Sequence, residues 1–229
     1  MSCGSWQTDG VPRAVVLSHD WIAHELGHLE PWLIDSGFSI VHVYREEQPS
    51  IPDGDLLIVM GSPHSVVPGF RGASADAEIE AVRAWVAQDR PYLGLCFGAQ
   101  VLATALGGSV RRMPQEFLGY VPVDADTPHT VLGDGQWTVW HNDGITAPPT
   151  SELLGSLDHA DLAFRVGRAW GLQPHIEVTP ETLERMAVAL GSTPEQYQPI
   201  VDKLHGDAVD NASRARVLLG TFLEQTSMA

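Results

Sequence analysis

Pro91-Tyr-Leu-Gly-Leu-Cys-Phe-Gly-Ala-Gln100 is an apolar run that passes through a cysteine flanked by glycines and on into small residues. The run has the length of a buried strand, and residues 99–106 are small and apolar and are closed by Gly107-Gly108, as a helix would be. Glycines two residues before and two residues after Cys96 give the layout of a nucleophile elbow, a strained strand-to-helix turn in which the backbones approach closely. A cysteine there sits near the positive end of the following helix, which favours its thiolate. The competing reading is a core cysteine, since free cysteine is commonly buried. The paired glycines decide against it, because a structural cysteine has no need of them and a strained turn does.

Around this segment the pattern alternates. Residues 13–17 and 38–44 are short β-branched runs, and between them residues 22–36 have helical spacing that Gly37 ends. The run 55–60 leads into Gly61-Ser62-Pro63, after which residues 73–88 carry Ile79, Val82, Ala84 and Val86 among acids at helical spacing. Strand, helix, strand, helix predicts an α/β fold with a mostly parallel central sheet flanked by helices. From 110 to 170 the texture changes to short, turn-punctuated runs such as Tyr120-Val-Pro-Val, Trp137-Thr-Val-Trp and Leu162-Ala-Phe-Arg-Val, which read as antiparallel strands extending the sheet. Three helices follow, over 181–190, 194–204 and 208–224. With no repeat or linker in the chain, the expected organisation is a flexible N-terminus over 1–12, a core over 13–178, and a helical C-terminal extension over 179–229 packed on the same domain.

The 229 residues, 44% apolar, suffice for one substantial core. Twenty-nine acids against 13 bases leave a net charge of −16, which argues against nucleic acid and anionic membranes as partners. The first ten residues lack the layout of a signal peptide and no apolar run reaches the length of a membrane span, so a cytoplasmic location is expected. Two cysteines, Cys3 and Cys96, make no disulfide framework, and Cys96 is expected to be a free thiol.

A thiol nucleophile needs a base. Among ten histidines, His175 is followed two residues later by Glu177, and in extended backbone both side chains point to one face, where the carboxylate would hold the ring and stabilise its cation. Such a pair means little alone; its weight comes from Cys96. His19, His24 and His28, with Glu25 and Glu30 nearby, have spacings that allow a metal on a helix, but a solvated helix face is the preferred reading. No metal or organic cofactor is expected. The acids after Pro180 read as the outer faces of packed helices, which could cover the mouth of a site or form an oligomer contact.

Two segments resemble the class I (triad) glutamine amidotransferases: Gly94-Leu-Cys-Phe-Gly-Ala-Gln100 is similar to their Gly-x-Cys-x-Gly-x-Gln signature, and Gly171-Leu-Gln-Pro-His-Ile-Glu177 to Gly-x-Gln-Phe-His-Pro-Glu. Val59-Met-Gly-Ser-Pro63 resembles the family's glycine-rich oxyanion loop, and Trp140-His-Asn-Asp-Gly-Ile145 a His-x-Asp loop of its synthetase-like and stand-alone members. The resemblance implies a flavodoxin-like, three-layer fold with a seven-stranded sheet and a Cys96, His175, Glu177 triad. It implies further that backbone N–H groups of Gly61 and Phe97 form an oxyanion hole, and that Gln100, Asn142 and Asp143 hold the amino-acid end of L-glutamine or a γ-glutamyl substrate. His64 and His141 fall in the matched loops and are candidates to line the pocket. The chain departs from the signatures at Pro174 and Ile176 around the histidine, and at Met60 and Ser62 around Gly61. Glu116-Phe-Leu-Gly-Tyr120 has one residue more than a related Glu-x-Gly-aromatic segment, and Glu116 is given no role. The chain shows no ATP-binding domain and no phosphate-binding Gly-Lys-Ser/Thr loop. Three readings follow: a glutaminase unit supplying ammonia to a separate synthetase, a self-sufficient γ-glutamyl peptidase, or an inactive binding module, against which the intact triad speaks.

Overall fold

A computed structural model describes residues 10–47, 50–123, 132–133, 135–226 and 228. The expected flexible N-terminus, Cys3 included, falls almost wholly outside the described residues. Nine strands form one sheet: β1 (Arg13–Ser18), β2 (Ser39–Tyr44), β3 (Leu56–Val59), β4 (Tyr92–Leu95), β5 (Ser109–Pro122), β6 (Gln136–Thr146), β7 (Glu152–Leu157), β8 (Ala160–Val166) and β9 (Ala169–Leu172). Their order is β2-β1-β3-β4-β9-β8-β6-β5, with β7 paired to β8. The first five in this order are parallel, and β5 to β8 are antiparallel, as the change in texture after Val110 predicts. Nine strands among the described residues replace the seven implied by resemblance.

Among the described residues six α-helices, α1 (Leu29–Asp35), α2 (Ala75–Val86), α3 (Phe97–Ala105), α4 (Pro180–Ala189), α5 (Pro194–Gly206) and α6 (Ala208–Gln225), cover the sheet. Strand periodicity sorts the core into two layers. Val15 and Leu17 of β1, with Leu57 and Val59 of β3, face Ile79 and Val82 of α2 and Val101 of α3. Ala14, Val16, Leu56 and Ile58 face the other way, toward Leu29 and Leu33 of α1 and Leu218 and Phe222 of α6. A third cluster joins Leu183 of α4 and Leu204 of α5 to Tyr120 and Trp140. The C-terminal helices therefore share the core: Phe222 stands edge-on to Trp170 at 5.6 Å and to Trp32 at 6.4 Å.

The helix expected over 22–36 is much shorter. α1 begins only at Leu29, and residues 19–28 form an irregular loop in which Ala23 and Gly27 have positive φ of 52° and 48°. The cause is tertiary: a Cβ on Gly27 would lie 1.9 Å from the Glu177 carbonyl oxygen, which accepts the His28 N–H at 2.9 Å. Close docking against residue 177 overrides the helical spacing of Ile22, Leu26 and Leu29.

Candidate active site

Five parallel strands end on one side of the sheet, where sites of open α/β folds are built. Cys96 joins β4 to α3 with φ 50° and ψ −103°, a backbone conformation rare outside glycine, and its N–H is fixed to the Leu172 carbonyl at 2.7 Å. The flanking glycines are required by contact. A Cβ on Gly94 would sit 2.5 Å from the Gly98 carbonyl, and one on Gly98 would sit 2.1 Å from the Val59 oxygen.

His175 leaves β9 through a bend and is anchored by its N–H to the Thr138 carbonyl at 2.8 Å. The segment is not a regular strand, yet the two-residue spacing brings His175 Nδ1 to Glu177 Oε1 at 2.7 Å, both side chains buried. The Cys96 thiol, which donates to the Trp140 carbonyl at 3.5 Å, stands beside the same ring, both bordering Gly61. Burial works to discharge His175, but the charges of Glu177 and Cys96 outweigh it and hold the imidazole well above its ordinary pKa. The arrangement suits a thiolate–imidazolium pair with a carboxylate behind it.

Gln173 Nε2 donates to Cys96 Sγ at 3.4 Å and is itself positioned by Gln100 Nε2, which donates to Gln173 Oε1 at 3.3 Å. Gln100 Oε1 is buried with no partner among the described residues. A Cβ on Gly61 would meet His175 Cε1 at 3.2 Å and Cys96 Cβ at 3.7 Å, so this glycine stands against both side chains. Phe97 is the first residue of α3, where N–H groups have no intrahelical acceptor.

Gly61, Cys96, Gln100 and His175 line a cavity of about 340 Å³ that also includes Asn142 and Asp143. Asn142 donates to Glu116 at 3.3 Å, whereas the Asp143 carboxylate is already engaged, accepting from Ser65 Oγ at 2.6 Å and Arg112 at 3.2 Å. The pairing of β5 with β6 slips between Arg112 and Phe117, and the resulting bulge presents Arg112 and Glu116 to the cavity. The extra residue noted in the sequence near Glu116 was the one signal of this. His64 and His141 line the cavity; burial pushes His141 down to about 4, and its ring stacks on His159.

The sequence model of the family described as glutamine amidotransferase class-I matches residues 21–188. The chain belongs to this family. Among curated relatives, the chain is 28% identical over 172 residues to a glutamine amidotransferase-like protein, YfeJ, of Salmonella typhimurium, covering 67% of this chain and 71% of that one. It is 32% identical over 179 residues to the glutamine-hydrolyzing GMP synthase of Thermus thermophilus, 71% of this chain but only 34% of the synthase. It therefore spans about a third of that relative. A solved glutamine amidotransferase from Thermotoga maritima shares the fold with a TM-score of 0.80 at 21% identity, over 94% of this chain and 99% of that one. A second, from Methylobacillus flagellatus, gives 0.78 at 21% identity, over 93% and 94%.

At Met60 and Ser62, where the chain departs from the family signatures, other residues hold the backbone. Ser62 Oγ pairs with His19 Nε2 at 2.8 Å and accepts the His64 N–H at 3.0 Å. His19 is thus a buried loop residue, and His28 pairs with Asn211, so the solvated helix face expected for His19, His24 and His28 is corrected. Among the described residues no three His, Cys, Asp or Glu side chains are placed to hold a metal, and no helix is long and apolar enough to cross a membrane. Met186 of α4, Leu190 and Ser192 of the connection after it, and Gln196 of α5 line the cavity, so the C-terminal extension does reach it. Sequence reasoning missed Arg45, whose buried guanidinium binds Glu78 and the carbonyls of Met60 and Gly61.

Proposed function

We propose that this chain hydrolyses the side-chain amide of L-glutamine through Cys96. The reading is carried by one observation: a cysteine on a strained turn at a helix N-terminus, beside an imidazole that a buried carboxylate holds at 2.7 Å. The thiolate attacks the amide carbon, and the oxygen that becomes negative is received by the backbone N–H groups of Gly61 and Phe97. The His175 imidazolium protonates the departing nitrogen, releasing ammonia and leaving a γ-glutamyl thioester. His175, now neutral, takes a proton from water, which cleaves the thioester to glutamate and restores Cys96. Gln100 Oε1, buried and unpartnered among the described residues, is an open acceptor for the substrate's ammonium, and Asn142 and Asp143 border the same cavity.

We further propose that the ammonia serves a separate synthetase in the cytoplasm, since the relatives named GMP synthase carry a matching segment on about a third of their length. A γ-glutamyl peptidase is the second reading. It is favoured by the apolar wall of Met186 and Leu190, which leaves room for a leaving group larger than ammonia.

The test is glutamate release from L-glutamine and from γ-glutamylcysteine, each against Cys96→Ala. Release from glutamine that depends on Cys96 supports the amidotransferase reading, and release from the peptide alone moves the assignment to the peptidase. Silence on both, with no labelling of Cys96 by an electrophilic glutamine analogue, rejects both.

A further inference from the structure

Two side chains at the end of β2 grip the oxyanion loop from different sides. The strand runs into a 3₁₀ turn, Arg45–Glu47, which lies across the end of β1 from the loop that follows β3. Arg45 is buried, and its Nε donates to both carboxylate oxygens of Glu78 on α2 at 3.1 Å. Its two remaining nitrogens point elsewhere: one donates to the Met60 carbonyl at 3.1 Å, the other to the Gly61 carbonyl at 3.3 Å. Its guanidinium carbon also stands 5.1 Å from the centre of the Phe97 ring.

The next residue, Glu46, accepts from His19 Nδ1 at 2.5 Å and from the Asp20 N–H at 3.0 Å. The opposite ring nitrogen, His19 Nε2, meets Ser62 Oγ at 2.8 Å. Burial favours neutral His19, while Glu46 is held at about 2. One tautomer satisfies every group: Nδ1–H donates to the carboxylate and Nε2 accepts the serine hydroxyl proton, leaving Ser62 Oγ free to accept the His64 N–H.

Peptide geometry converts these contacts into a statement about the loop. In a trans peptide the C=O and the N–H point in opposite directions, and there are no cis peptides among the described residues. Since the Met60 and Gly61 carbonyls are both drawn to Arg45, the N–H groups of Gly61 and Ser62, which share those peptides, are turned away from it. Gly61 itself faces Cys96 and His175 on its open side. We propose that the Arg45–Glu46 turn is a two-pronged clamp that presets the oxyanion loop before substrate arrives, Arg45 through the Met60 and Gly61 carbonyls and Glu46 through His19 and the Ser62 hydroxyl. Arg45, Glu46 and His19 are thereby positioning residues, acting through the backbone of residues 60–62. The proposal rests on the assignment of Gly61 to the oxyanion hole.

The experiment compares the full-length protein with Arg45→Lys, which keeps a positive charge beside Glu78 but cannot span both carbonyls, and with Ser62→Ala, which removes one surface-side hydroxyl and leaves the core intact. Three quantities are read: kcat and KM for L-glutamine, the rate of Cys96 alkylation by iodoacetamide, and the affinity for the γ-aldehyde analogue of glutamine, which forms a tetrahedral adduct. The expected result is a kcat lower by roughly tenfold to a hundredfold for each variant, an analogue affinity lower by a similar factor, a KM within about threefold, and alkylation within about twofold, because only the tetrahedral state uses the hole. If kcat and analogue affinity match wild type in both variants, or if alkylation falls in parallel with kcat, the clamp is overturned. Failure of the underlying reading looks different: wild type then shows neither turnover nor adduct formation, and the proposal falls with it.

Discussion

Glu177 shows how much one side chain can be asked to do. Its carboxylate holds the His175 ring from behind and is the largest influence that keeps the imidazole charged against burial. Glu177→Gln keeps the shape and removes the charge, and it should lower kcat by at least about a hundredfold with KM little changed, as seen by steady-state glutaminase kinetics. His141 offers a pH signature. Its folded pKa of about 4 lies below the 6.5 of the free side chain. Between those values the unfolded chain binds a proton that the folded chain refuses, so stability rises with pH across that window and is lost as pH falls from 6.5 toward 4. The loss is up to roughly 3 kcal/mol. Urea denaturation at pH 7 and pH 4.5 should show a smaller drop for His141→Gln than for wild type, with a remaining slope from His19 and His28, which burial also shifts down. Cys96 and the His175–Glu177 pair were legible in the sequence because strain and spacing leave local marks: glycines at two-residue distance, a histidine two residues from a carboxylate. Arg45, Glu46 and His19 leave none. They come from the ends of two different strands, and only the register of β1 beside β2 brings them to residues 60–62.

At the level of elements, the alternating pattern foretold β1 to β4, α2 and α3 within two or three residues, because each buries one regular face. Residues 19–28 escaped it. Their apolar spacing suits a helix, but the backbone is committed to the Glu177 carbonyl instead, a partner some 150 positions away that no local pattern reveals. The start of α4 is the clearer local signal. Thr179 accepts from the Thr182 N–H while Thr182 Oγ1 accepts from the Thr179 N–H, with Pro180 at the first helical position. Thr179→Ala should destabilise the protein by about 1 kcal/mol in urea denaturation, since one helix N–H loses its acceptor. The cap stands two residues beyond Glu177, so the same change should be checked for a shift in kcat. If the midpoint of denaturation is unchanged, the cap is not stabilising the native state.

For the molecule as a whole, the three C-terminal helices, read from the sequence as an extension packed on the same domain, are among the most deeply joined elements. Leu218, Leu219 and Phe222 are fully or almost fully buried in the cluster that holds Trp170 and Leu29. Removing large core residues typically costs about 2–5 kcal/mol each, against a total stability of about 5–15 kcal/mol. A chain ending at residue 179 should therefore lack a cooperative thermal transition and accumulate as insoluble protein; a sharp melt from that fragment would show that the core stands without α4 to α6. A last consequence comes from the bulge in β5. Among the described residues this is the longest strand, and it lies at the end of the sheet with β6 as its one strand partner. An uninterrupted open ribbon of that length invites another polypeptide to zip onto it, the first event of fibrillar aggregation. The slip between Arg112 and Phe117, with Pro114 inside it, divides the ribbon into two short pieces out of step with each other. The irregularity that turns Arg112 and Glu116 into the cavity is thus also what keeps neighbouring copies from joining their sheets in a crowded cell.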